Sequence, residues 1–303
     1  MAHRLVFLGT PEAAVPPLRA LHADGFDISL VVTRADARRG RGKALSPSPV
    51  KAAALELGLP VSHRVDDVLD VGADLGVVVA FGRIIKPHVL DAVPMVNLHF
   101  SLLPRWRGAA PVERAILAGD AWTGVCLMDV AEGLDTGGVR AEAELEIGPD
   151  ETADELRARL VEAGTSLLRH ALRTGLYPAE PQIGEPTYAA KIEPEELRLD
   201  WTRSAVELHR VVRVGGAFTT FRGKRLKVWR SHVLDDGALR RLEAQGQSTD
   251  GLVPGALWGG GVVTGDGVLG LHEVQPEGKG RMDAAAWQRG LQPSPGAGER
   301  LGA

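Results

Sequence analysis

The sequence lacks several features that would narrow its chemistry at once. It has one cysteine, Cys126, which excludes an internal disulfide and a cysteine-rich metal site. Nine histidines are scattered without an H-E-x-x-H pattern or cysteine partners, so no metal is expected. His63, His88, His170, His209, His232 and His272 read as structural or surface residues. No apolar run approaches a membrane span, and the opening MAHRLVFLGTPEA has too short an apolar core for a signal peptide. A soluble, cytoplasmic monomer is the expectation. Net charge is −4, which argues against a generally basic coat for nucleic acid but leaves room for a local patch. Glycine is short where a dinucleotide site would need it. The turn after the first apolar run holds Gly9 alone in place of G-x-G-x-x-G, so NAD chemistry and a dehydrogenase are excluded. No internal repeat is visible.

What is present is an ordered α/β pattern in a chain of 303 residues, long enough for two domains. Arg4 to Leu8 predicts a buried strand, and Gly9-Thr10-Pro11 turns it into a helix from Glu12 to Ala23. Ile28 to Thr33 and the all-apolar Leu75 to Ala80 predict further strands of a parallel sheet covered on both faces. Val139 to Ile147 alternates like a half-exposed strand, and Thr152 to Leu172 predicts a long helix with Thr152 and Glu155 as its capping pair. Residues 176–200, rich in Pro, Glu and Gly, read as a linker draped over the first domain. Beyond it, a helix over Ser204 to Val212 precedes short apolar runs with Gly-rich turns, which indicate a small β-barrel or sandwich.

The chain is organised around Val96 to Gly137. A strand ends in Asn97-Leu98-His99, where the period of two projects Asn97 and His99 to one face. Ser101 to Gly108 is too rich in Pro, Gly and charge to continue the strand. A helix begins at Ala110-Pro111, with Pro111 suited to a first helical position. Gly124 to Val130 predicts a second strand, followed by the turn Gly133-Leu134-Asp135-Thr136-Gly137. Asn97, His99 and Asp135 are therefore expected just past the carboxyl ends of two strands, the edge where open α/β sheets bind ligands. An imidazole can relay a proton, a carboxylate can fix its tautomer, and an amide can donate to an oxygen gaining charge. No side chain here has the setting of a covalent nucleophile, since Ser101 lacks a nucleophile elbow and Cys126 lies inside a strand. The set suits direct transfer of an acyl group to an amine. The plainer account is a satisfied strand end and a Gly-rich turn.

The run Asn97 to Pro104, then Arg107 to Pro111, Gly119-Asp120, Thr123 to Val125 and Gly133 to Gly137, resembles the formyltransferases that use 10-formyltetrahydrofolate, and among them those acting on methionyl initiator tRNA. The resemblance implies a Rossmann-like catalytic domain over residues 1–175, a linker over 176–200 and an OB-like tRNA-binding domain over 201–303. It implies Asn97, His99 and Asp135 as catalytic residues and Ser101, Leu102, Leu103, Pro104, Phe81 and Gly82 as folate-binding. Five of the ten residues from Arg34 to Lys43 are basic, and composition alone allows either a solvated loop or a grip on phosphates. The resemblance makes this a tRNA-binding loop, with Arg41, Arg39 and Lys43 as contacts. Lys224, Arg225, Lys227 and Arg230 give the second domain a basic face that suits nucleic acid or plain solvation equally.

The sequence departs from this family at Phe100, where a small residue is usual and whose side chain is expected to face away from Asn97 and His99. It departs again at the short stretch from Val214 to Phe218 and in the Pro/Gly-rich tail from Gln292 to Gly298. The last two bear on the acceptor. The alternatives are transfer to a sugar amine or other small amine, which needs no tRNA loop, and a silent tRNA- or folate-binding module, which needs no Asn97, His99 and Asp135. A glycinamide ribonucleotide formyltransferase would leave the residues after about 200 without a role.

Overall fold

The computed structural model describes residues 4–38, 45–244, 251–291 and 300–302. They gather into two compact units, one of Met1–Arg114, Ala121–Ile147 and Leu156–Lys191, the other of Ala115–Asp120, Gly148–Glu155 and Ile192–Ala303.

In the order of the chain, β1 (Arg4–Gly9) leads to α1 (Val15–Ala23) and β2 (Asp27–Val32). A short antiparallel pair follows, β3 (Ala37–Arg38) and β4 (Leu45–Ser46), then α2 (Pro49–Glu56), β5 (Val61–Ser62), β6 (Leu75–Val79) and α3 (Pro87–Ala92). Next come β7 (Met95–His99), β8 (Arg107–Gly108), α4 (Pro111–Ala118), β9 (Trp122–Asp129), β10 (Val139–Glu146), α5 (Ala153–Thr174) and β11 (Tyr188–Ala189). The central sheet runs β10-β9-β7-β6-β1-β2-β5. From β7 to β5 every pairing is parallel. The middle of these strands is mostly apolar, as covering both faces requires, and all five residues of β6 are buried. Val6, Leu8, Leu30, Val32, Val78 and Phe81 belong to one core cluster of this unit. Thr152 accepts from the Glu155 N–H at 3.4 Å while the Glu155 carboxylate accepts from the Thr152 N–H at 2.9 Å, the capping pair read from the sequence.

One expectation fails here. β9 runs antiparallel to β7, with Val96 opposite Asp129 and His99 opposite Cys126. The carboxyl end of β9 therefore lies at the amino end of β7, where the Val130 N–H bonds to the Met95 carbonyl at 2.8 Å. Asp135 does not follow a strand end at the edge where His99 sits. It stands in the connection between β9 and β10, which turns back toward that edge. A hydrophobic run reveals a strand but not its direction, so the sequence could not show this.

The second unit holds α6 (Ala205–Val214), β12 (Phe218–Phe221), β13 (Lys224–Val233), α7 (Asp236–Ala244), β14 (Leu257–Trp258), β15 (Gly261–Val263), β16 (Val268–Pro276), β17 (Met282–Asp283) and α8 (Ala284–Arg289). Its antiparallel sheet runs β12-β13-β16-β15-β14, with β17 pairing with β16 at Glu273 and Val274, beyond the reach of β15. Arg222 and Gly223, both at positive φ, make the two-residue turn between β12 and β13 that matches strand twist. Trp201, Leu208, Val212, Phe221, Val228, Leu269 and Trp287 form its core. Ser204 caps α6 and Glu207 returns the bond, an arrangement worth about 1 kcal/mol. Helix α7 is not anticipated by the sequence, because only Ala238, Leu239 and Leu242 give it an apolar face. Among the described residues, no helix is long and apolar enough to cross a membrane.

Candidate active site

The site grows from the last residue of β7. His99 is 5% exposed, and both its ring nitrogens have defined neighbours. Nε2 lies 2.9 Å from the Trp106 carbonyl oxygen, which can only accept, so Nε2 carries a proton. Nδ1 faces the Asp135 carboxylate with Oδ2 at 3.6 Å. That gap is longer than a hydrogen bond, so the nitrogen whose proton can come and go is Nδ1. Asn97 lies two residues back, half-buried, and is opposite Val78 of β6 and Met128 of β9.

Asp135 is held by backbone. Its Oδ2 accepts from the Gly108 N–H at 2.7 Å, and its own φ is +50°. Gly108 stands at φ +120°, and a Cβ there would lie 2.9 Å from the Ala189 carbonyl oxygen. Only glycine lets this backbone approach β11, with which β8 forms a parallel pair. Gly137 is similarly constrained, since a Cβ would run into the Asp129 carbonyl at 1.8 Å.

A cavity of about 620 Å³ opens onto these groups. Asn97, His99 and Asp135 all border it, together with Phe81, Gly82, Ile84, Ile85, Met128 and Leu134. The three expected catalytic residues therefore share one cavity, with Phe81 and Gly82 in its wall. Phe100 also borders the cavity, although the alternation of the strand predicted that it would face away. β7 ends at His99, and the alternation ends with it. Ser101, Leu102, Leu103 and Pro104 are not in the wall. Ser101 is fully buried and donates to the Arg105 carbonyl at 2.6 Å. Leu102 packs over Gly124, and Leu103 lies in a cluster with Cys126 and Met128. Leu103-Pro104 is a cis peptide. Burial pushes the Cys126 thiol up to about 12, so it is no nucleophile near neutrality. Arg39, Arg41 and Lys43 lie outside the described residues. Among the described residues no group of three or more His, Cys, Asp or Glu could hold a metal ion.

Sequence reasoning missed what holds the site in place. Gln182 donates to the Asp135 and Gly137 carbonyls, both at 2.8 Å, and accepts from Arg107 Nε at 3.0 Å and Nη2 at 2.6 Å. Thr187 Oγ1 accepts from the Trp106 N–H at 2.9 Å. The Trp106 carbonyl was likewise invisible.

Known proteins resemble the chain along most of its length. Residues 3–172 match the formyl transferase family, and residues 191–292 match the formyl transferase C-terminal domain. The chain belongs to the formyl transferase family. A methionyl-tRNA formyltransferase of Symbiobacterium thermophilum is 42% identical, over 95% of this chain and 92% of its own length. Two solved formyltransferases share the fold. The N-formyltransferase of Helicobacter canadensis, solved with folinic acid and dTDP-3-aminofucose, matches with a TM-score of 0.66 at 17% identity, over 91% of this chain and 100% of its own. The methionyl-tRNA formyltransferase of Clostridium thermocellum matches with a TM-score of 0.58 at 16% identity, over 77% of this chain and 94% of its own. Formyl transfer is the chemistry that the candidate active site has to support.

Proposed function

We propose that the chain transfers a formyl group from 10-formyltetrahydrofolate to the α-amine of methionyl initiator tRNA. The observation that carries this reading is the meeting of Asn97, His99 and Asp135 at one cavity, in a chain 42% identical to a methionyl-tRNA formyltransferase. The cavity's volume and largely apolar wall suit a flat, partly polar ring system such as a pterin. Folate supplies the formyl carbon, and the chain's residues handle charge and protons around it. The attacking α-amine titrates at about 7.7–8.0, so part of it is free base near neutrality. When it adds to the formyl carbon, the carbonyl oxygen becomes an oxyanion, and the Asn97 amide donates to it. His99 joins through Nδ1, its exchangeable position. With Nε2 committed to the Trp106 carbonyl, Nδ1 relays the proton from the attacking amine toward the departing folate nitrogen. Asp135 holds this charge beside Nδ1. Ser101 to Pro104 support the wall from behind.

In this reading residues 1–175 are the catalytic domain, 176–200 the linker and 201–303 an OB-like tRNA-binding domain. The antiparallel six-stranded sheet of the second unit supports the last assignment. The basic segment Arg34 to Lys43 adds phosphate contacts, with Arg41 between two glycines as its leading residue. The test compares formylation of charged initiator tRNA with that of a panel of amino sugars, following the folate product optically. Turnover of tRNA and not of sugars is expected, and Arg41→Ala should weaken tRNA binding and flatten its salt dependence. Preference for a sugar amine, with Arg41→Ala silent, would replace the tRNA reading.

A further inference from the structure

We propose that Gln182 and Thr187 are positioning residues for formyl transfer, holding from one segment the two groups that fix the His99 ring. The proposal rests on the function given above. His99 has two ring neighbours, the Trp106 carbonyl at Nε2 and the Asp135 carboxylate at Nδ1. Each belongs to a non-glycine residue with a left-handed backbone, Trp106 at φ +62° and Asp135 at φ +50°. Such backbone persists only where its surroundings over-determine it, and the segment containing Gln182 and Thr187 supplies those surroundings.

On the Trp106 side, Thr187 accepts twice. Its Oγ1 takes the Trp106 N–H at 2.9 Å and its carbonyl takes the Arg107 N–H at 2.9 Å. On the Asp135 side, the Gln182 amide uses its full capacity. Its two N–H groups go to the Asp135 and Gly137 carbonyls, while its oxygen takes two N–H groups from Arg107. Arginine can only donate and a carbonyl can only accept, so the amide has one possible orientation. Arg107 thereby links the two sides through its backbone and its guanidinium. Neither Gln182 nor Thr187 borders the cavity, which fits a role exerted through other groups.

The experiment uses the full chain, with kcat, KM for 10-formyltetrahydrofolate and the Kd of a folate analogue measured for wild type and variants. Gln182→Glu keeps the size and the acceptor for Arg107, loses two donors and sets a carboxylate against two carbonyls. Thr187→Val keeps the shape and loses the hydroxyl acceptor, while Thr187→Ser restores it. Misplacing a reacting group by about 1 Å can cost about a hundredfold, so each disruptive variant should lower kcat by about tenfold to a hundredfold. Analogue Kd should stay within about twofold, and Thr187→Ser should recover most of the loss. In an Asp135→Asn background, Gln182→Glu should lower kcat by less than about twofold, because its effect runs through the group already disabled. Should Gln182→Glu fail to fold, Gln182→Leu carries the same measurements without the added charge. Near-normal kcat in folded Gln182 and Thr187 variants overturns the proposal. So does a loss confined to KM and analogue Kd, or an undiminished further loss in the Asp135→Asn background. A wild-type chain inactive on charged initiator tRNA sinks the functional reading instead, which separates the two failures.

Discussion

The two ends of β7 border two cavities and show what makes one of them a site. At the Met95 end a cavity of about 420 Å³ is lined by Asp74, Met95, Asp129 and Arg140, among others. There Arg140 and Asp129 satisfy one another, and Asp74 accepts from the Arg4 N–H. Arg140 gives Asp129 two hydrogen bonds, at 2.5 and 3.0 Å, and a third to the Tyr177 carbonyl at 2.6 Å. At the His99 end the polar groups stop short of closing on each other, with 3.6 Å between Nδ1 and Asp135. Left-handed non-glycine backbone also gathers at that end. Of four such residues among those described, Ala80 and Asp135 border the larger cavity, and Trp106 supplies the carbonyl to His99. The fourth, Arg222, sits in a tight hairpin turn. Strain beside unclosed polar groups marks a place kept ready for a ligand, whereas saturated pairing marks structure.

The contrast breaks most sharply by substitution at each end. His99→Ala and Asp135→Asn should each lower turnover about a hundredfold or more while analogue binding survives, since charge and proton movement matter chiefly in the transition state. Near-normal turnover in either, at saturating substrates, would remove the assigned chemistry. Gly108→Ala should lower turnover about tenfold or more, because its methyl would meet the Ala189 carbonyl and displace the N–H that holds Asp135. Kinetics beside a thermal melt check this, and an active, fully stable variant would contradict it. Arg140→Ala should do the reverse at the other end, costing about 1–3 kcal/mol by leaving Asp129 unpaired while turnover per folded molecule holds. Denaturant titration reads the first and kcat the second.

The smallest effect is an acid one, away from both ends. His209 of the second unit is 6% exposed, between Ser231 Oγ at 2.9 Å and the Pro149 carbonyl at 3.2 Å. Burial, with Arg213 nearby, holds its pKa below the ordinary value, against the opposing pull of the Pro149 bond and Asp150. The unfolded chain therefore takes up the proton first. The stability from neutral His209 is fully present above about pH 6.5 and declines as pH falls through the lowered folded value. Melting curves from pH 7.5 to 5 should show this decline in wild type and a weaker one in His209→Gln. Equal slopes would assign the decline elsewhere.

Much of the first sheet could be read from the sequence because its signals are local. The apolar run of β6, the capping pair of α5 and the two-residue spacing of Asn97 and His99 each span a few residues. Asp135 was legible as a residue, from its Gly-rich turn, but its route to His99 was not, since strand direction leaves no mark on hydrophobicity. Of the residues expected to bind folate, Phe81 and Gly82 border the cavity, whereas Ser101 and Leu103 are buried in the loop after β7, a fold-back that local sequence does not reveal. Gln182 and Thr187 lie 75 and 81 residues from the groups they hold, Arg107 and Trp106, in a Pro-rich segment without periodicity. No pattern rule reaches that far.

The connection from Val130 to Gly138 works as a ruler. It leaves β9 beside Met95 and must bring Asp135 back to His99 before β10 begins at Val139. An extended residue spans at most about 3.3–3.6 Å, so deleting one residue between Val130 and Asp135 would change the reach by about the present distance between carboxylate and imidazole. Asp135 and the close-packed Gly133 and Gly137 apart, side chains along this connection can be exchanged while the ruler still measures correctly; its number of residues cannot.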